Sequence, residues 1–87
     1  MPWCSENVRL RMIIKQMEDS DKWVVLKAKH SDKPRNEKME NLLEIFYPPR
    51  FKSEFKQYSI GDTNFYCLKV SDRVSQEEIE TFLKEDS

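Results

Sequence analysis

The chain predicts an α+β domain: a small antiparallel sheet of three or four strands carrying two or three helices as a single layer. Three stretches of its 87 residues carry that expectation. Residues 22–32 read Lys-Trp-Val-Val-Leu-Lys-Ala-Lys-His-Ser-Asp, an apolar run that passes into alternation. Residues 64–70 form a second apolar run behind the only glycine, Gly61. Between them, Met39, Leu42, Leu43 and Phe46 recur at the spacing of one helix face.

Taken in order, residues 1–7 and 84–87 read as loose ends of a single domain covering 1–87, with Trp3 free to dock. Residues 8–17 support two readings. As a strand, Val8, Leu10, Met12 and Ile14 share a face, with Arg9 and Arg11 opposite. As a helix, Leu10, Ile13, Ile14 and Met17 form the apolar stripe, with Ser5 as N-cap. Residues 18–21 are a polar connection. The strand at 23–30 comes next, and its side chains point alternately to opposite faces. Val24, Leu26 and Ala28 then lie on one face, and Trp23, Val25, Lys27 and Lys29 on the other.

A loop at 31–35 places Pro34 early in a helix running over 35–47. Pro48 and Pro49 end that helix, since neither donates an amide hydrogen. Residues 51–60 lead from a loop into a strand contacting through Phe55, Tyr58 and Ile60. A short turn over 61–63 joins it to the strand at 64–70 as a hairpin. In that last strand Phe65 and Cys67 face one way, and Tyr66, Leu68 and Val70 the other. Ser75 and Glu78 form a capping box for a final helix that buries Ile79, Phe82 and Leu83, with Val74 stapled onto Ile79. Two topologies fit. A first strand gives ββαββα, drawn as a permuted ferredoxin-like sandwich or a ubiquitin-like roll; a first helix gives αβαββα.

Composition narrows the function classes. Aromatics make up 11% of the chain, which argues against disorder. A single glycine excludes the Gly-rich phosphate loops, which need several for close backbone approach. Net charge is −1, but it is unevenly spread. Residues 1–56 hold twelve basic and nine acidic side chains, and residues 57–87 hold three and seven, a net of +3 against −4. Two cysteines, Cys4 and Cys67, do not make a disulfide framework, and no apolar run reaches bilayer length. A cytoplasmic or nuclear protein, off the membrane, is expected.

The chain shows no pattern for catalysis, cofactor or metal. His30, the only histidine, stands in His30-Ser31-Asp32, but consecutive residues do not face one another as a triad requires. Cys4, His30 and Cys67 lack zinc spacing, and Asp19, Asp21 and Asp62 do not fit a calcium loop. Glu77 and Glu78 lie in the first turn of a helix, where they complement its dipole. No enzyme and no small-molecule substrate are expected.

What is left is binding. The face carrying Trp23, Val25, Lys27 and Lys29 has no evident cover when both later helices are committed to the other face. It is the expected partner surface, for a protein partner or a homodimer. The same face joins an aromatic to cations, as an RNA-binding sheet does, with Lys22, Lys33, Arg35, Arg50, Lys52 and Lys56 as possible phosphate contacts. A pI near 5.8 weighs against a dedicated RNA binder.

Two segments resemble the nine-kilodalton Alu-domain subunit of the signal recognition particle. One is Lys22-x-Val24-Val25-Leu26-Lys27-x-Lys29-His30-Ser31-Asp32. The other runs from Cys67-Leu68 through Ser71-Asp72 to Ile79-Glu80-x-Phe82. The resemblance covers about a third of the chain. It implies a subunit that pairs with a structurally similar partner and binds RNA through a basic sheet face, here with Lys22, Lys27 and Lys29. The chain departs from that family by the helix at 35–47, where the family has helix, three strands, helix, and by its acidic balance.

Overall fold

The computed structural model describes residues 6–85. Its elements are α1 (Glu6–Glu18), β1 (Trp23–Lys29), α2 (Lys33–Phe46), a 3₁₀ segment (Pro49–Glu54), β2 (Phe55–Ile60), β3 (Thr63–Lys69) and α3 (Gln76–Lys84). The sheet is three-stranded and antiparallel with order β1-β3-β2, so the last strand is central and the first two are edges. The fold is α+β in the αβαββα order.

Residues 8–17 resolve as helix. Its inward stripe is Leu10, Ile14 and Met17, which pack with Trp23, Val25, Tyr58, Ile60, Phe65 and Cys67. Arg9, Arg11 and Lys15 stay exposed. A strand would have had to put Ile13 on the charged face; the helix places it half-buried. The expected Ser5 cap and the docking of Trp3 lie outside the described residues, as does Cys4. Glu6 and Asn7 are already helical, and α3 runs through Lys84.

α2 begins two residues earlier than the apolar stripe suggests. The Asp32 carboxylate accepts a hydrogen bond from the Arg35 amide at 3.3 Å, and Pro34 sits in the first turn, where its missing donor costs nothing. The capping box of α3 forms as expected: Ser75 Oγ accepts from the Glu78 amide at 3.1 Å, and the Glu78 carboxylate accepts from the Ser75 amide at 3.0 Å. β2 and β3 close on two residues. Gly61 has φ +60°, whereas Asp62 stays at negative φ, the pattern of a type II′ turn with glycine in first place.

Two apolar clusters hold the sheet. On one face, Ala28, Tyr66 and Leu68 meet Met39, Leu42 and Leu43 of α2 and Ile79 of α3, with Val24, Leu26, Phe55 and Phe82 at the margin. Tyr66, Met39, Leu42, Leu68 and Ile79 are fully buried, each contributing about 1.5–3 kcal/mol. On the other face lies the smaller cluster under α1, with Ile14, Ile60 and Cys67 at its centre. The helices therefore stand on both faces, where one layer was expected. The reason is physical: the stripe of α1 and the apolar half of the second face have only each other to bury against.

Candidate interaction edge

α1 changes the standing of the surface expected to bind a partner. Trp23 and Val25 are half-buried in the cluster beneath the helix. Lys27 and Lys29 remain exposed. Lys27 Nζ lies 3.8 Å from the Glu18 carboxylate and 5.8 Å from the centre of the Phe65 ring. The four side chains share a face, as alternation required, but only the cationic end of it is open.

The phosphate-contact candidates divide into separate groups. Arg35, in the first turn of α2, lies near Lys27 and Lys29 at the corner where β1 ends, while Lys33 lines a neighbouring depression with His30 and Asn36. A shallow depression there is lined by Lys27, Ala28, Lys29, Asp32, Arg35 and Thr63. Arg50, Lys52 and Lys56 lie at the opposite end of the sheet, on the 3₁₀ segment and the start of β2. Lys22 precedes β1 and stands exposed. The fold brings together two cationic corners, not one strip.

The edges of the sheet differ. The Val70 amide donates to Lys22 O, and the His30 amide to Asp62 O. Hydrogen-bonded pairs alternate along an antiparallel ladder, so the even residues of β1 bond β3 and its odd residues present their N–H and C=O outward. Two of those outward carbonyls are taken by α2: Arg35 Nε donates to Lys27 O and Asn36 Nδ2 to Lys29 O, both at 2.7 Å. Asn36 Nδ2 also donates to Asp32 O at 2.8 Å. Its Oδ1 accepts from Asn64 Nδ2 at 2.9 Å and from the Tyr66 hydroxyl at 2.8 Å. Both amide hydrogens and both lone pairs of Asn36 are thus used.

On β2 the parity is the same. Its even residues bond β3, and Phe55, Gln57 and Ser59 face outward. The Phe55 amide donates back to Lys52 O. Among the described residues, no protein group meets the outward backbone of Gln57 or Ser59, and both side chains are exposed. His30 Nε2 and Ser59 Oγ are 2.9 Å apart; this leaves the backbone of Ser59 open and ties His30 to β2.

Beside the start of β2 lies an apolar groove of about 390 Å³, lined by Leu43, Glu44, Tyr47, Pro48, Pro49, Lys52 and Phe55. Arg73 packs against Tyr47, one of its lining residues. It donates to Phe46 O and, at 2.6 Å, to the Glu54 carboxylate. Its guanidinium stands 3.7 Å from the centre of the Phe51 ring and 5.3 Å from that of Tyr47. The Tyr47 hydroxyl donates to Lys69 O, and burial pushes its pKa up to about 12. Burial likewise pushes the Cys67 thiol up to about 11, with the nearby Glu18 carboxylate adding to the shift. Cys67 is a buried free thiol, as its apolar strand suggested.

Sequence reasoning missed Asn36, Arg73 and the groove. A signal for the groove existed in Tyr47-Pro48-Pro49, read only as a helix stop. Among the described residues no helix is long and apolar enough to cross a membrane. No family model, curated protein or solved structure matches the chain.

Proposed function

We propose that this protein is a non-catalytic interaction module of the cytosol or nucleus that accepts a protein partner by strand addition at the β2 edge. One observation carries the reading: the outward N–H and C=O groups of Gln57 and Ser59 have no partner among the described residues, while the corresponding carbonyls of β1 are bonded by Arg35 and Asn36. An open edge is a template for another strand, and natural sheets usually blunt it. Here the strand's short length and Lys56 do so, but nothing among the described residues covers the outward backbone of Gln57 and Ser59. Main-chain bonds then supply affinity, and side chains on alternate faces supply selectivity.

The test is amide hydrogen exchange with and without partner. Gln57 and Ser59 should exchange rapidly in the free protein and become protected in the complex. Slow exchange at both positions in the free monomer would end the reading.

RNA binding is the second reading. It is favoured by the corner where Lys27, Lys29 and Arg35 gather, and by the resemblance to the signal recognition particle subunit. Affinity for RNA should then fall steeply with salt and be lost in the Lys27→Glu, Lys29→Glu double variant. Salt-insensitive or absent binding would dismiss it.

A further inference from the structure

We infer that the β2 edge selects an extended peptide with the pattern apolar–any–acidic–apolar, read from its N-terminus and added antiparallel to β2. The inference rests on the strand-addition reading and names the ligand. Antiparallel addition continues the geometry of the sheet, and each added residue shares the face of the β2 residue it stands opposite.

The pattern is set by what each β2 position offers. Phe55 lines the apolar groove with Leu43, Tyr47 and Pro48, so the peptide residue opposite Phe55 needs a large apolar side chain to fill it. Lys56 is exposed, and opposite charges across a strand pair are favourable. Lys52 adds a cation at the groove. Of the nearby acids, Glu54 is paired with Arg73 at 2.6 Å and Glu18 with Lys27 at 3.8 Å, while Glu44 lines the groove on the other face of the sheet from Lys56. The position opposite Lys56 is therefore acidic. Tyr58 is half-buried against the cluster under α1, and an apolar side chain opposite it extends that cluster. Lys56 and Tyr58 occupy non-hydrogen-bonded positions toward the added strand, where facing side chains come closest. Opposite Gln57 and Ser59 the face is exposed and any residue fits.

A second copy fits this edge less well. If two β2 strands pair so that Gln57 meets Ser59, Gly61 of the other copy stands opposite Phe55 and the groove stays empty. If Gln57 meets itself, Ser59 stands there, small and polar. Centring the pair on Lys56 sets two lysines against each other.

The experiment is an amide-shift titration of the labelled protein with a capped synthetic peptide, Thr-Val-Ser-Glu-Leu-Ser. Saturable shifts are expected at Gln57, Ser59 and their β2 neighbours. Replacing the peptide's leucine by alanine should weaken binding about tenfold or more. Replacing its glutamate by lysine should weaken it about threefold, and Lys56→Glu should reverse that preference. Equal binding by all three peptides, lost in Gln57→Pro, would overturn the selectivity and leave strand addition standing. Shifts at the same amides produced by protein concentration alone would make a second copy the occupant and overturn the inference. Shifts confined to other elements, with protected Gln57 and Ser59 amides, would remove the inference and the underlying reading together. Shifts induced only by an oligonucleotide and abolished by salt would replace the peptide with RNA.

Discussion

β1 and β2 border the same central strand, yet the chain treats their free edges differently. Two side chains from the first turns of α2 reach the outward carbonyls of Lys27 and Lys29. Among the described residues, nothing equivalent reaches the backbone of Gln57 or Ser59. The difference is not one of strand length or composition, since both strands are short and carry exposed lysines. It comes from the connection that leaves each strand. After β1 the chain turns at once into a helix whose first turns reach back to that edge before the helix crosses the sheet face, whereas after β2 it turns through Gly61 into β3 and supplies no cover. An edge is thus guarded by local connectivity, and the unguarded one lies beside the apolar groove.

The sharpest way to break this contrast is to remove the guard. Asn36→Ala would strip four hydrogen bonds and leave Lys29 O, the Tyr66 hydroxyl and the Asn64 amide without this partner. A buried polar group left unpaired costs about 1–3 kcal/mol, so a loss of about 3 kcal/mol is expected by urea unfolding. A loss below about 1 kcal/mol would show that water replaces the side chain and that the edge needs no guard.

The central strand and the groove can be compared through pH. The Cys67 thiol is raised from 9.0 to about 11 and the Tyr47 hydroxyl from 10.0 to about 12 in the folded chain. Unfolding lets both lose protons earlier. Their contribution is complete below pH 9.0 and disappears as pH climbs through about 11 for the thiol and about 12 for the phenol. Each is of order 2 kcal/mol. In Cys67→Ala the decline in stability should begin near the ordinary tyrosine range instead of the thiol range. Unfolding titrations from neutral to alkaline pH would show it, and an unchanged onset would mean that the thiol does not couple to folding.

Much of this architecture was legible. The stripe of Met39, Leu42, Leu43 and Phe46, the Ser75–Glu78 box, the Gly61 turn and the faces of β1 and β3 are set by periods and caps that act within a few residues. The strand order is not. Which strands become edges depends on β3 inserting between β1 and β2, a choice made by pairing residues 34 (Lys29 with Thr63) to 46 (Trp23 with Lys69) positions apart. Reading the Trp23 and Val25 face as open required residues 8–17 not to cover it, and both readings of that stretch were consistent with its sequence. Asn36 was invisible because its four partners come from β1, the turn before α2 and β3, and no local pattern announces such convergence. Arg73 was invisible for the same reason.

Arg73 fastens together the elements that bear the groove. Its guanidinium joins the end of α2 to the 3₁₀ segment through Phe46 O, Glu54 and the Phe51 ring. Arg73→Ala should cost about 1–2 kcal/mol, and Arg73→Lys should recover little, because an ammonium lacks the planar fork that serves both acceptors while stacking. Proteolysis should then begin within Pro49–Glu54 while Asn36 and its partners stay protected. Cleavage elsewhere would mean that Arg73 supports the whole fold and not this border of β2.

The smallest effect separates the two sides of β2 itself. Lys56 and Gln57 are adjacent and exposed, but the Lys56 amide belongs to the ladder with Cys67 and the Gln57 amide points away from it. Proline removes the amide hydrogen at either position. Lys56→Pro should cost about 1.5 kcal/mol by breaking a ladder bond and orphaning a buried carbonyl. Gln57→Pro should cost under about 0.5 kcal/mol, since proline is tolerated on the solvent side of an edge strand. The same Gln57→Pro variant should lose strand addition altogether, because the donor it removes is one the partner needs. Stability and binding therefore respond in opposite order to substitutions one residue apart. Equal costs at the two positions would mean that the ladder parity is not as drawn and that the outward groups of β2 are not free to pair.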